Sequence, residues 1–393
     1  MPSMGRRLVR IGLVVVLLVA AAVAWEPSRV AMQTTVLLPS LLGIGPRPLD
    51  AFSEAPARSS ITYRTADPGE DPDLAELWLP AWASADRPAG AMLLVFGVNN
   101  FGRNHPVIAR VAEGLARTGV AVLVPDSRTL LEGRLEVGEI DGIVQAFETL
   151  RDRPEVDPQR IGIVGFSVGG SLALLAAGDP RIADDVRWIN AFGAFADART
   201  YLASVAAHAH VGVDGAVAWQ PTELARQVYL SFLLEQVADE PDRTALAAAY
   251  GAATVDPDAA TPRADPSVRA SLRTDVGRSV HDLLTAPTLD AALAAIDALP
   301  ESSRTFIDAI SPVRHLEGLR AEVLLMHETT DHHVPFTESE ELADRLGAAG
   351  RLDTYTSFRL FDHVQPDDLD LVAAAPELWK LLWHVHALMM RTL

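Results

Sequence analysis

Two rhythms of apolar and polar positions alternate along most of the chain. Residues 61–64 and 74–79 read as short opening strands joined by the turn sequence Asp67-Pro68-Gly69. Residues 92–96 form an unbroken apolar run ending at Gly97, the pattern of a central strand buried on both faces. From Pro106 the period changes, because Val107, Ile108, Val111, Ala112 and Leu115 recur at helical spacing until Gly119. Residues 120–124 make the next strand, stopped by Pro125, and Ile140, Ile143, Val144, Phe147 and Leu150 mark a second helix. Residues 160–166 are again a strand, with a helix over 171–177 and a further strand over 186–192. Strand and helix alternate every roughly 30 to 40 residues, as βαβ units do. The rhythm predicts an α/β fold with a mostly parallel central sheet and helices on both faces.

Two stretches break this rhythm. Between residues 198 and 310 the strand pattern disappears into alanine-rich and acidic sequence, with helical segments at 224–237 and 289–299 and proline-rich joints at 256–266. It reads as a helical cap inserted into the fold. Strands resume at 322–326 and 355–360, and the chain closes with a helix over 376–390. The expected organisation is therefore a first core part, 59–197, the cap, 198–310, and a second core part, 311–393.

The other break is N-terminal. Arg6, Arg7 and Arg10 precede an uncharged apolar run from Ile11 to Trp25. Such a run is either a membrane anchor of near-spanning length or a signal peptide cleaved near Ala22-Val23-Ala24. Both readings place the body outside the cytoplasm, secreted or held to the membrane by an N-terminal hydrophobic helix, since the basic flank stays inside. Residues 26–58 carry several prolines and read as a linker. Its one apolar stretch, Val36 to Ile44, either touches the membrane surface or packs against the body.

Composition removes several functions. With 52 acidic against 33 basic side chains the net charge is -19, which repels phosphate backbones and argues against nucleic acid as a partner. The chain has no cysteine, so disulfides and a thiol nucleophile are excluded. Its eleven histidines lack metal-site spacing, and no cofactor is expected.

The most specific motif is Gly165-Phe166-Ser167-Val168-Gly169, which fits G-x-S-x-G between a strand and a small-residue helix. A serine hydroxyl is a poor nucleophile at neutral pH and needs a base oriented by a carboxylate. Ser167 is the candidate nucleophile, and the Val168 N–H points at the oxyanion that attack creates. The second oxyanion donor is expected from Phe96-Gly97-Val98-Asn99-Asn100, with the Val98 N–H as candidate and the two asparagines shaping the loop. Asp331, beyond the 323–326 strand, is the candidate acid, with Glu328 and Asp126 as rivals. His363, after the last strand, is the candidate base. His332 and His333 read as a solvated loop beside the acid, and His208 and His210 as polar surface or pocket lining. The cap's Tyr201, Trp219, Tyr229, Phe232 and Tyr250 either roof an acyl pocket or form the cap's own core.

On these residues the chain resembles the α/β-hydrolase superfamily over residues 61–192 and 312–393, in the order nucleophile, acid, histidine. Within it, Asp331-His332-His333-Val334-Pro335 resembles the "D-x-x-V-P" acid loop of dienelactone hydrolases and prolyl-oligopeptidase-like esterases. The chain departs from many relatives in carrying Phe96-Gly97 where they have His-Gly. The resemblance implies a serine hydrolase acting on a small-molecule ester or amide through an acyl-serine intermediate. A carboxylic-ester hydrolase is the leading reading, an amidase or short-peptide hydrolase uses the same residues, and a catalytically silent binding protein keeps the fold alone.

Overall fold

The structure is a computed structural model that describes residues 25–43, 45–64, 72–99, 101–213, 215–255, 262, 264–362, 365–366 and 372–393. Its centre is an eight-stranded sheet of β1 (Ala57–Arg64), β2 (Asp73–Leu79), β3 (Ala89–Val95), β4 (Ala121–Pro125), β5 (Val156–Phe166), β6 (Trp188–Phe192), β7 (Glu322–Glu328) and β8 (Leu352–Phe358). The strand order is β1-β2-β4-β3-β5-β6-β7-β8. The first two strands join antiparallel, and every pairing from β4 through β8 is parallel. Helices cover both faces, as a parallel sheet requires to bury its two apolar surfaces. This is the mostly parallel α/β architecture that the alternating pattern predicts and the α/β-hydrolase fold that the resemblance implies.

Side chains alternate between the faces strand by strand. Ala91, Leu93 and Val95 of β3 join one apolar cluster with helices α3 (Gly138–Arg151), α4 (Val168–Ala176) and α5 (Phe336–Ala348). Met92 and Leu94 join the opposite cluster, with α1 (Glu26–Leu42), α2 (Pro106–Thr118) and α6 (Ala375–Thr392). Gly162 in β5 is set by this packing, since a Cβ there would lie 2.3 Å from the indole of Trp188 on β6.

The linker expected over residues 26–58 is not one. Residues 26–42 are helix α1, a short helix follows at Leu49–Phe52, and β1 already begins at Ala57. Pro27 lies in the first turn, where a missing N–H costs nothing. Pro39 sits in the last turns, where it removes one helical donor. Neither breaks the helix, because Val30, Thr34 and Leu37 form a stripe buried against the core, and a packed face outweighs local propensity. Gly114 of α2 allows the approach, as a Cβ there would meet the Ser40 side chain at 2.8 Å. The apolar run from Ile11 lies, but for Trp25, outside the described residues. Among the described residues no helix is long and apolar enough to cross a membrane.

Between β6 and β7 the chain runs through a series of helices from Ala198–Ala207 to Glu301–Ala309, with one antiparallel ribbon, Ala209–Gly212 against Gly215–Ala218. Tyr229, Phe232 and Tyr250 are buried in this segment's own apolar core, continuous with the α3, α4 and α5 layer. The cavity among Tyr229, Tyr250 and Leu284 measures about 30 Å³, water-sized.

If α1 is part of the folded unit, Leu37→Ala should cost about 2 to 5 kcal/mol in a urea denaturation, the range for truncating a buried leucine. A loss below 0.5 kcal/mol would return this segment to the status of a tether.

Candidate active site

The motif at residues 165–169 is a crossing of backbones. A Cβ at Gly165 would lie 2.5 Å from the Gly170 Cα in α4, and one at Gly169 would lie 2.7 Å from the Val95 carbonyl oxygen. The two glycines therefore let α4 start directly against β5 and pass under the exit of β3. Between them Ser167 takes φ 54° and ψ -135°, left-handed backbone that a residue with a Cβ rarely adopts. The strain is held from both sides. The Ser167 N–H donates to the Phe192 carbonyl at 2.7 Å, and the Gly170 N–H donates to the Ser167 carbonyl at 2.8 Å. Sharp residues of this kind concentrate at functional sites because the surrounding structure must be built to hold them.

The loop after β3 lies against this turn. A Cβ at Gly97 would sit 3.1 Å from the Val168 nitrogen and 3.2 Å from the Ser167 Cβ, so Gly97 brings the loop to the serine. Val168 is the first residue of α4, and its N–H has no intrahelical acceptor. The loop is folded by Asn99, whose side-chain amide donates to the Gly97 carbonyl at 2.8 Å and whose oxygen accepts from the Gly102 N–H at 2.9 Å. Val98 is half-buried between them. Asn100 lies outside the described residues.

Asp331 is buried in the loop after β7. One carboxylate oxygen accepts from the His333 N–H at 2.6 Å and the Val334 N–H at 3.0 Å, which explains the local sequence as a turn that aims the carboxylate. The other oxygen is 3.3 Å from Nε2 of His327, which is fully buried at the end of β7. That nitrogen also lies 3.0 Å from the Val334 carbonyl, and Nδ1 lies 2.5 Å from the Ser339 hydroxyl. Since a carbonyl can only accept, we assign the His327 proton to Nε2. The rival Glu328 accepts from the Leu360 N–H at 2.6 Å and from the Thr330 hydroxyl at 3.2 Å. Asp126 accepts from the Arg103 N–H at 2.6 Å and pairs with that guanidinium, bracing the loop after β3.

His363 lies outside the described residues. Its neighbours Phe361–Asp362 and Gln365–Pro366 pair as an antiparallel ribbon, just beyond the Leu360 N–H that Glu328 holds.

The cap meets the acid loop directly. The Trp219 indole donates to the Asp331 carbonyl at 2.7 Å, the Thr222 N–H to the His332 carbonyl at 2.8 Å, and the Tyr201 hydroxyl to the His333 carbonyl at 3.1 Å. His333 and His332 face the cap: Nδ1 of the first is 2.7 Å from the Thr222 hydroxyl and Nδ1 of the second 2.8 Å from the Gln220 carbonyl. Among the described residues no group of three or more metal-ligating side chains occurs. Nδ1 of His208 lies 3.3 Å from Gln220, and the His210 ring packs on Phe336.

Sequence reasoning missed His327 and Glu338, and it read Trp219 as pocket roof or cap core without its bond to the acid loop. A buried histidine beside an acid could have been suspected from its place at the end of an apolar strand. Glu338 gave no such sign. It is buried on α5 and accepts from the Ala196 N–H at 2.9 Å, the Asp197 N–H at 3.2 Å and the Thr200 hydroxyl at 2.7 Å, joining the entrance of the cap to the helix behind the acid loop.

The comparisons agree with this architecture. Residues 83–194, which run from before β3 to just past β6 and include Ser167, match the model of the Dienelactone hydrolase family. The chain is similar to Porphyromonas gingivalis dipeptidyl peptidase 4 with a TM-score of 0.50 and 14% identity, covering 86% of this chain and 36% of that one. It also aligns with a puromycin-hydrolyzing peptidase of Mycobacterium tuberculosis, with TM-score 0.47, 16% identity and coverage of 87% and 39%. Thermogutta terrifontis esterase 2 aligns with TM-score 0.45, 15% identity and coverage of 84% and 96%. The chain thus spans little more than a third of the length of the two peptidases. No curated protein matches it. The fold is that of the α/β hydrolases, and the family-matched segment supports a serine hydrolase.

Burial pushes the Glu338 carboxyl up to about 7 from its ordinary 4.5. The folded state holds this proton more tightly than the unfolded chain, so its stabilisation is complete below pH 4.5 and is lost as pH rises through 7. Denaturant midpoints across that window should fall by an amount equivalent to roughly 3 kcal/mol from this residue. In Glu338→Gln the decline should shrink by that amount; an unchanged slope would remove Glu338 as its source.

Proposed function

We propose that this chain is a serine hydrolase of carboxylic esters, working through an acyl-serine intermediate. The observation that carries the reading is Ser167, a non-glycine residue held at φ 54° on a strand-to-helix turn. A strained turn there lifts the hydroxyl out of the sheet toward a substrate and leaves the first N–H of the helix beside it.

In the proposed cycle His363 accepts the Ser167 hydroxyl proton as the oxygen bonds to the ester carbonyl carbon. The carbonyl electron pair moves onto its oxygen, which the Val98 and Val168 N–H groups stabilise. Collapse expels the alkoxide, which takes the proton from His363 and leaves as alcohol. Water, deprotonated by His363, then attacks the acyl-serine and releases the acid and the free serine. Asp331 orients the imidazole and stabilises its charged form. Its two backbone donors and the His327 ring support this role, because they fix the carboxylate before substrate arrives. Nothing in the cycle requires a cofactor. Residues 6–25, basic and then apolar, support an exported or membrane-anchored position for the catalytic body.

A fluorophosphonate probe should label the wild type and fail to label Ser167→Ala; an unlabelled wild type would reject the serine mechanism. Asp331→Asn should lower kcat on the order of 10⁴-fold with an unchanged circular dichroism spectrum. Near-normal turnover in that variant, with loss in Glu328→Gln, would transfer the acid role to Glu328. A panel of ester, thioester and amide substrates with one acyl group should rank the ester fastest, and amide turnover of equal rate would make the enzyme an amidase.

A further inference from the structure

A cavity of about 460 Å³ lies between the sheet and the helices of its other face. Protein interiors rarely leave voids much larger than a water, whereas ligand pockets begin at roughly 300 Å³. Its floor is Met92, Leu94 and Val164 of the sheet, and its walls include Leu41 of α1, Ile108 of α2 and Leu388 of α6. Deep inside, the one polar side chain is Asn190, and it is occupied. Its oxygen lies 2.7 Å from His384 Nε2 and its amide 3.5 Å from the Met326 sulfur. Burial lowers the His384 ring to about 3, so it stays neutral and adds no charge to the floor. The interior therefore offers an occupant apolar contact and no unsatisfied polar partner.

The mouth is different. Val107 is 44% exposed and lines the cavity together with the half-buried Val111, and Arg110 lies between them on α2. Arg110 has no acidic partner among the described residues, although most arginines here are ion-paired. Its guanidinium lies against Gly43 at the C-terminal end of α1, as a Cβ on Gly43 would be 3.0 Å from Nη1. A helix end supplies only partial negative charge, which leaves the cation able to take a full one. Guanidinium pairs with carboxylate and phosphate through parallel N–H donors.

From a long apolar cavity with one unpaired guanidinium at its entrance, we infer that this face binds a single hydrocarbon chain bearing an anionic head, the chain inside the cavity and the head on Arg110. The site draws on α1, α2 and α6 and does not depend on Ser167 being a nucleophile.

Titration of the full-length protein carrying Ser167→Ala with dodecanoate, dodecyl phosphate and dodecanol tests this without interference from turnover. Both anions should bind at least tenfold more tightly than the alcohol, and alkanoates shorter than dodecanoate should weaken about fourfold per methylene removed. The order of the two anions then separates a fatty acid from a phosphate-bearing lipid as the natural source. Arg110→Gln should bring the anions down to the alcohol's affinity and leave the alcohol unchanged. Val111→Trp, or Leu41→Trp on the facing helix should the first variant misfold, should weaken all three ligands tenfold or more. Equal binding of acid and alcohol to the Arg110 protein, an acid preference that survives Arg110→Gln, or affinity indifferent to both fillings would overturn the inference, as would no binding at all.

Discussion

Three backbones cross at Ser167 with only glycine hydrogens between them, and the rest of the molecule is arranged around that crossing. Gly165 admits α4, Gly169 admits the exit of β3, and Gly97 admits the loop beyond it. The closeness requires β3 and β5 to be neighbours, and they pair in parallel with Val95 opposite Gly165. It also requires β6 beside β5, because the Phe192 carbonyl holds the Ser167 N–H. Strand order at the middle of the sheet is thus tied to one strained residue. The strain of roughly 1 to 3 kcal/mol is tolerable because extensive sheet and helix burial surrounds it.

The acid loop is held by a different principle. Asp331 belongs to the sheet through β7, yet the main-chain oxygens of residues 331, 332 and 333 all accept hydrogen bonds from the inserted cap. Glu338 repeats the connection on the next helix, where its buried carboxyl gathers the N–H groups that begin the cap. The inserted segment therefore helps to hold the loop that carries the candidate acid, and a change that loosens it should be felt in the orientation of Asp331.

Helices close both faces of the sheet. One carries α3, α4, α5 and the cap as a continuous apolar layer. The other is closed by α1, α2 and α6 around a cavity that reaches Phe96 and Phe166, the residues just before Gly97 and Ser167. Their rings stack in parallel at 4.9 Å. Material bound on this face would touch the same two segments that position the candidate nucleophile and its loop.

The strand and helix alternation, the parallel sheet and the turn at Ser167 were legible in sequence because each depends on neighbours in the chain: period, turn residues and the glycines beside the serine. The segment 26–42 was not, since its prolines are local signals and its helix is justified only by the buried faces of α2 and α6. Asp331 could be placed by its position after a strand, but nothing local distinguishes it from Glu328. The structure gives the two different partners, Trp219 and His327 at Asp331 and Leu360 at Glu328, up to 112 residues away. Glu338 and the cavity before Arg110 were invisible for the same reason. Sequence by itself determined the alternating elements of the core and where a nucleophile could stand, while burial, shared donors and empty space arise only when distant segments meet, and tertiary structure decided those.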